Sequence, residues 1–293
     1  NTPLTVSESE GRVIVAFQNG SLRFNYKTGE MESYIYHSKE LLNQIPLGNE
    51  RGFQPSLYRA PLDNDMYLKY VWHKEGLNHI SWIKKKCAYE QTGDTVVISA
   101  VYRLKTCSYR NAGTFKVKYT INALGRIAVD YSYKNLVFKL VPRLGMLVEM
   151  PKTYSNITYF GCDAESLSDF KEHAVIRRVT TNVDAMHTPY IKPQESGMRY
   201  NTFYAQVTDE NGTGFRFESE TPFVFNANPY NAEQISKATH KEDLLKYDTT
   251  NVQIDGYMLG AGSNACGPIP TKAHRKVMVR SYSHSFVVTP LGD

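Results

Sequence analysis

Residues 95–103, Thr95-Val96-Val97-Ile98-Ser99-Ala100-Val101-Tyr102-Arg103, alternate in a way that decides the fold class. Val96, Ile98 and Ala100 fall on one face of an extended chain, as a period of two requires. The next two runs repeat the pattern. Over 114–121, Phe115, Val117 and Tyr119 share a face; the run 126–134 follows Leu124-Gly125, and Gly93 marks the turn before the first run. One apolar and one wet face per strand point to antiparallel sheet.

Toward the N-terminus, 12–18 and 21–26 are β-rich runs separated by Asn19-Gly20, a dipeptide that tolerates the left-handed backbone of a tight hairpin. A further strand is expected at 31–36 after Thr28-Gly29, whereas 38–47 fits neither period. Toward the C-terminus, runs at 144–150, 156–160, 203–207, 214–217, 223–227, 276–280 and 285–288 continue the series. Two helices interrupt it. Leu68, Val71 and Trp72 recur at near-helical spacing, with Asp65 as a cap, Gly76 as a stop and the aromatic stripe read as core. Asn231 is expected to cap 232–245, where Ile235, Ala238, Leu244 and Leu245 give a loose apolar face. The expected fold class is therefore all-β: a large antiparallel sandwich with one or two short helices, in one domain over 1–293. Sheets of this size stack to cover their apolar faces.

Apolar residues at 41% and charged residues at 22% are those of a globular chain, and no apolar run reaches membrane-spanning length. The 34 basic and 29 acidic residues are interspersed, with Lys84-Lys85-Lys86 the densest run. Neither a nucleic-acid nor a membrane partner is indicated. Cys87, Cys107, Cys162 and Cys266 show neither close pairing nor metal-ligand spacing, so they read as free thiols of a reducing, cytoplasmic compartment. The chain begins at Asn1 without a signal segment, as expected of a piece cut from something longer.

The chemistry concentrates at 58–65, Tyr58-Arg59-Ala60-Pro61-Leu62-Asp63-Asn64-Asp65. Pro61 fixes its own backbone and extends Ala60, while Asp63, Asn64 and Asp65 favour bonds to nearby backbone, which makes an irregular connector. Arg59, between apolar neighbours, must send its guanidinium to a carboxylate or to carbonyls, because a buried charge without partners is costly. A structural clasp is the expected role of this motif. Glu195 and Arg199, four apart with Gly197 between them, are expected to form a folded corner held by their own ion pair. The acid pairs Asp63 with Asp65 and Glu165 with Asp169 read as structural or solvated. His173, His240, His274 and His284 lack metal-ligand spacing, and no metal site is expected. His187 with Glu195, bracketing 188–190, is the pair suited to the acid–base work of a sugar-ring epimerase; an isolated histidine is more often a packing residue.

Arg59-Ala60-Pro61-Leu62-Asp63-Asn64-Asp65 resembles the R-A-P-x-D-N-D signature of the C-terminal, small-chain domain of glycoside hydrolase family 2 β-galactosidases. Met186-His187-Thr188-Pro189-Tyr190, followed by Pro193-Gln194-Glu195-Ser196-Gly197-Met198-Arg199, is similar to a second run of that domain. Ile254-Asp255-Gly256, the glycines at 260 and 262, and Cys266-Gly267-Pro268 resemble its glycine-rich loop. The three motifs keep the family's order and cover most of the chain. The resemblance implies a galactose mutarotase-like β-supersandwich, and an enzyme only as part of its parent. Such parents hydrolyse terminal β-galactosides in a (β/α)8 barrel with a carboxylate pair about 5 Å apart, and this sequence has no barrel pattern. The domain alone would be non-hydrolytic. It would lend the loop 260–268 to the sugar pocket, with Ser263, Asn264 and Cys266 touching substrate; well-known members carry a tryptophan near the position of Cys266. No cofactor is implied in this domain. The parent has room for divalent and monovalent cations and is implied to be a homo-oligomer. Residues 161–171 depart from the family pattern. Gly161, Glu165 and Asp169 survive with one residue deleted, but the Gly-Pro, Tyr and Arg positions have become Asp163-Ala164, Leu167 and Phe170, which bears on the parent's sugar specificity. A freestanding mutarotase-like epimerase and a carbohydrate-binding module are the alternatives.

Overall fold

In the computed structural model, residues 4–44, 52–262 and 268–293 are described. The first strands pair in chain order as a meander: β1 (Thr5–Ser9), β2 (Arg12–Phe17), β3 (Gly20–Asn25), β4 (Glu30–Tyr36) and β5 (Lys39–Glu40). Asn19 takes a φ of 63° in the β2–β3 hairpin, and Gly29 a φ of 83° before β4. Both turns stand where Asn-Gly and Thr-Gly place them.

The remaining strands form one sheet of twelve. In chain order they are β6 (Phe53–Ser56), β7 (Ser81–Thr92), β8 (Thr95–Lys105), β9 (Gly113–Asn122), β10 (Ile127–Lys134), β11 (Arg143–Pro151), β12 (Asn156–Cys162), β13 (Ile176–Asn182), β14 (Arg199–Thr208), β15 (Gly214–Asn228), β16 (Thr249–Met258) and β17 (Ser281–Leu291). Their spatial order is β13-β12-β14-β15-β17-β10-β9-β8-β7, with β16 joining β15 to β11, and β11 continuing to β6. The fork lies in β15. Gly214 to Glu218 pair with β17, and Val224 to Asn228 pair with β16. The expected runs 214–217 and 223–227 are thus one strand that changes neighbour partway.

The alternation of 95–103 appears in β8, where Val96, Ile98, Ala100, Tyr102 and Leu104 are buried. Phe115, Val117 and Tyr119 of β9 are buried beside them, in one large apolar core that runs under both sheets. A second, small cluster of Leu167, Met198, Val224, Met258 and Ala261 lies beneath the segments described below.

Three α-helices are present among the described residues: α1 (Leu68–Glu75), α2 (Val183–Met186) and α3 (Ala232–Lys237). Gly76 ends α1 in the left-handed region at φ 73°, as Gly at this position does. Trp72 is fully buried and donates Nε1–H to the Leu140 carbonyl at 3.0 Å. The expected cap is corrected: α1 starts after Tyr67 without a side-chain cap, because Asp65 turns inward to Arg59. Asn231 does cap α3, in a box with Gln234, but the helix stops at Lys237, short of the expected 245. The Asp243 carboxylate accepts from the backbone N–H of Thr239 and His240, which diverts the chain into a separate short turn. The strand expected at 276–280 is reduced to one bridge, Leu140 with Val277. Conversely β1, β6, β7, β13 and β16 form without having been foreseen.

Candidate functional site

Arg59 is wholly buried between Tyr58 and the turn at Asp63–Asp65. Its Nη2 donates to both carboxylate oxygens of Asp65 at 3.0 Å and to the Gly260 carbonyl at 3.3 Å, while Nη1 donates to the Leu259 carbonyl. Asp65 Oδ2 also accepts the Leu62 N–H at 2.8 Å, which closes the turn around the ion pair. The sequence reading expected a carboxylate or carbonyls for Arg59, and the structure supplies both. Asp63 stays exposed and exchanges two bonds with Gln194, N–H to Oε1 at 3.0 Å and Nε2 to Oδ2 at 3.2 Å. Asn64 is half-buried in the same turn.

A second buried guanidinium grips the same segment. Arg143, at the start of β11, donates Nε to Asp255 Oδ2 at 2.9 Å, Nη2 to Glu195 Oε1 at 3.0 Å and Nη1 to the Tyr58 carbonyl at 2.9 Å. Glu195 Oε2 accepts the Ala60 N–H at 2.9 Å. The expected Glu195–Arg199 pair is therefore corrected. Arg199 donates instead to the Tyr159 hydroxyl and the Gly197 carbonyl, both at 2.9 Å. The corner between them depends on Gly197 at φ 87°, where a Cβ would stand 2.7 Å from the Met186 carbonyl oxygen.

Two acids thus share the Arg143 cation in a dry site. Burial pushes the Asp255 carboxyl up to about 7, against the pull of Arg143 and with the repulsion of Glu195 added. Its Oδ1 lies against Gly145, where a Cβ would sit 1.8 Å away. Asp65 is likewise raised by burial, with Arg59 opposing. Arg143 was missed from sequence, and Asp255 stood there only as part of the glycine-rich motif, with no role given to it. Arg143 follows Val141-Pro142 and precedes Leu144, the same apolar setting that singles out Arg59.

The departing segment keeps its acids at work. Glu165 accepts from Thr188 Oγ1 at 3.1 Å, Tyr190 OH at 3.2 Å and Gly197 N–H at 2.9 Å, so it ties down the 188–190 corner. Asp169 accepts the N–H groups of Ala261 at 3.0 Å and Gly262 at 2.7 Å. Ser263, Asn264 and Cys266, the expected substrate contacts, lie outside the described residues. Cys87, Cys107 and Cys162 are free thiols. His187 does not pair with Glu195: its Nδ1 lies 3.2 Å from Ser196 Oγ and 3.4 Å from Asn228 Nδ2, its ring edges onto Tyr230, and burial lowers its pKa.

Comparison with solved structures defines the class. Galactose 1-epimerase from Lactobacillus acidophilus NCFM superposes with a TM-score of 0.52 at 7% identity, covering 100% of this chain and 99% of that one. An aldose epimerase homologue from C. elegans gives 0.50 at 8%, covering 96% and 98%. The fold is the mutarotase-like β-sandwich. The chain belongs to the beta galactosidase small chain family, whose model matches residues 17–288. Curated relatives include the beta-galactosidases of Priestia megaterium, 27% identical over 98% of this chain, and Streptococcus thermophilus, 28% identical over 99%. That of Actinobacillus pleuropneumoniae is 27% identical over 86%. The chain spans only 25–28% of the length of these three relatives. No helix among the described residues is long and apolar enough to cross a membrane.

Proposed function

We propose that this chain is the small-chain domain of a glycoside hydrolase family 2 β-galactosidase, non-hydrolytic alone, which presents the segment 260–268 to a sugar pocket built in the parent's barrel. The observation that carries this reading is the Asp169 carboxylate bound to two consecutive N–H groups, Ala261 and Gly262, with Arg59 on the carbonyls of Leu259 and Gly260. Both backbone polarities of 259–262 are held by buried or half-buried charges, immediately before Ser263, Asn264 and Cys266. A rigid base of this kind lets a glycine-rich segment reach outward without loss of position. In the parent, hydrolysis falls to the barrel's carboxylates; the cations and the oligomer belong to the parent as well.

The test is steady-state kinetics of the parent enzyme on a chromogenic β-galactoside. Asp169→Ala is expected to raise KM roughly tenfold, the scale of about 1.4 kcal/mol. Cys266→Trp, which restores an aromatic surface for the sugar, is expected to lower KM, by about 0.5–1.5 kcal/mol in binding. If both variants leave KM and kcat unchanged, 260–268 lies away from the sugar.

The freestanding epimerase is not favoured, since Glu195 is committed to Arg143 and Ala60 and His187 to Ser196 and Asn228.

A further inference from the structure

A helix on a protein surface ordinarily buries one apolar stripe and turns polar residues to water, and one that is apolar all round belongs inside. The helix α1 departs from the first pattern. Its inward side is satisfied: Trp72 is fully buried with its N–H on the Leu140 carbonyl, and Leu68 packs against the large core. Its outward side carries Tyr67 immediately before the helix, then Tyr70, Val71 and Lys74, at the i, i+3, i+4, i+7 spacing of a single face. Tyr67 is 61% and Tyr70 66% exposed, and Met66 and Val71 are exposed beside them. Apolar residues exposed singly are normal, whereas a contiguous set on one face marks an interaction site.

This face continues into a groove of about 490 Å³ between α1 and the segment 192–193, where Met66 and Tyr70 stand opposite Pro193. Lys69 and Lys192 give the groove two cations against one acid, Asp63, whose carboxylate already accepts from Gln194. Lys192 is held in place by the Ala238 carbonyl, and Lys74 adds an exposed cation on the helix. Leu62 joins the groove to the site described above. It lines the groove and also packs against the small cluster that contains Met258 and Ala261. The turn that follows it, Asp63–Asp65, anchors Arg59 on the carbonyls of Leu259 and Gly260. The outward face of α1 and the segment 259–262 are therefore fixed to each other through one buried turn.

We propose that the outward face of α1, with its groove, docks against the barrel-bearing part of the parent polypeptide, through an apolar segment of the parent flanked by carboxylates. The inference rests on the reading of this chain as one domain of a larger parent, and three observations select that occupant. The chain spans only 25–28% of the length of its relatives, so most of a parent of that size lies outside it. The face is tied to 259–262, the base of the segment proposed to enter the parent's pocket, so one neighbour reaches both. The surplus of positive charge around the groove repels a second copy of the same surface and favours an acidic partner. Tyrosine and methionine are also among the residue types enriched at protein interfaces.

Hydroxyl-radical footprinting of the 293-residue chain and of the parent enzyme tests the inference. Met66, Tyr67 and Tyr70 are expected to be modified roughly fivefold or more slowly in the parent, as side chains in the core of an interface are shielded from water. Tyr70→Glu, which sets a like charge before the partner's carboxylates, should leave the melting temperature of the chain unchanged, because the side chain is exposed. In the parent it should return Met66 and Tyr67 toward the labelling rate of the free chain, and Lys74→Glu should act in the same direction. Equal labelling in chain and parent overturns the inference, as does protection that Tyr70→Glu leaves intact. So does a dimer of the 293-residue chain in sedimentation that Tyr70→Glu dissociates, since a second copy then covers the face. A parent that holds no barrel sinks the underlying reading, whereas an unprotected α1 in a barrel-bearing parent sinks this inference alone.

Discussion

Arg59 and Arg143 sit 0% and 1% exposed, each bound to carboxylates that are themselves buried. Removing one partner from such a network leaves an uncompensated charge, at a cost of about 3–5 kcal/mol. Arg59→Ala should therefore lower stability by that amount in urea unfolding; an unshifted midpoint would mean that Asp65 and the carbonyls of Leu259 and Gly260 do not need it. Asp255 makes a sharper case, because its folded carboxyl titrates at about 7 against about 4 in the unfolded chain. Between those values the folded state holds a proton that the unfolded state has lost, so stability falls as pH rises from about 4 to about 7. Asn cannot titrate. The melting temperature of the wild type should thus fall more between pH 5 and pH 8 than that of Asp255→Asn; parallel curves would show that burial does not control this group.

At the scale of the element, Gly145 in β11 sets how closely the clasp approaches the sheet. A register shift falls between Leu144 and Gly145, where Tyr131 and Tyr133 of β10 donate their hydroxyls to the Leu144 and Gly145 carbonyls at 3.0 and 2.7 Å. An added Cβ at Gly145 would meet not only the Asp255 carboxylate but its Cα, 2.8 Å away, and backbone cannot swing aside. Gly145→Ala is expected to destabilise by about 1–3 kcal/mol, the scale of overpacking, and a neutral effect in denaturant unfolding would refute the close approach. Strands with one apolar face, such as β8 and β9, were readable from the sequence because burial and period coincide there. β16 was not, since Asn251, Gln253 and Asp255 look like loop residues until their pairing with β11 and β15 and the Arg143 network account for them. β7 hid behind Lys84-Lys85-Lys86, which lies on an outer edge of the sheet with a shift between Lys84 and Lys86. Lysines and bulges there prevent further strand pairing.

Across the whole molecule, the R-A-P-x-D-N-D motif located the buried network from sequence, but not its second half. Arg59 could be matched to Asp65 only six residues away, whereas Arg143, Glu195 and Asp255 are brought together from three distant stretches, and no local spacing encodes that meeting. The same holds for Asp169, whose hold on Ala261 and Gly262 spans ninety-odd residues. The described acids at this site are each bound to a guanidinium, a backbone N–H, a hydroxyl or, for Asp63, the Gln194 amide. Such an arrangement holds a framework, in keeping with the proposal that bond cleavage falls to another part of the parent.

The most direct test of that division of labour is the turnover of a chromogenic β-galactoside by the 293-residue chain, measured beside the parent enzyme at equal molar concentration. The account predicts no hydrolysis above buffer from the chain and full turnover from the parent. Hydrolysis by the chain that survives repurification and disappears on replacing Glu165, Glu195 or Asp255 would contradict it.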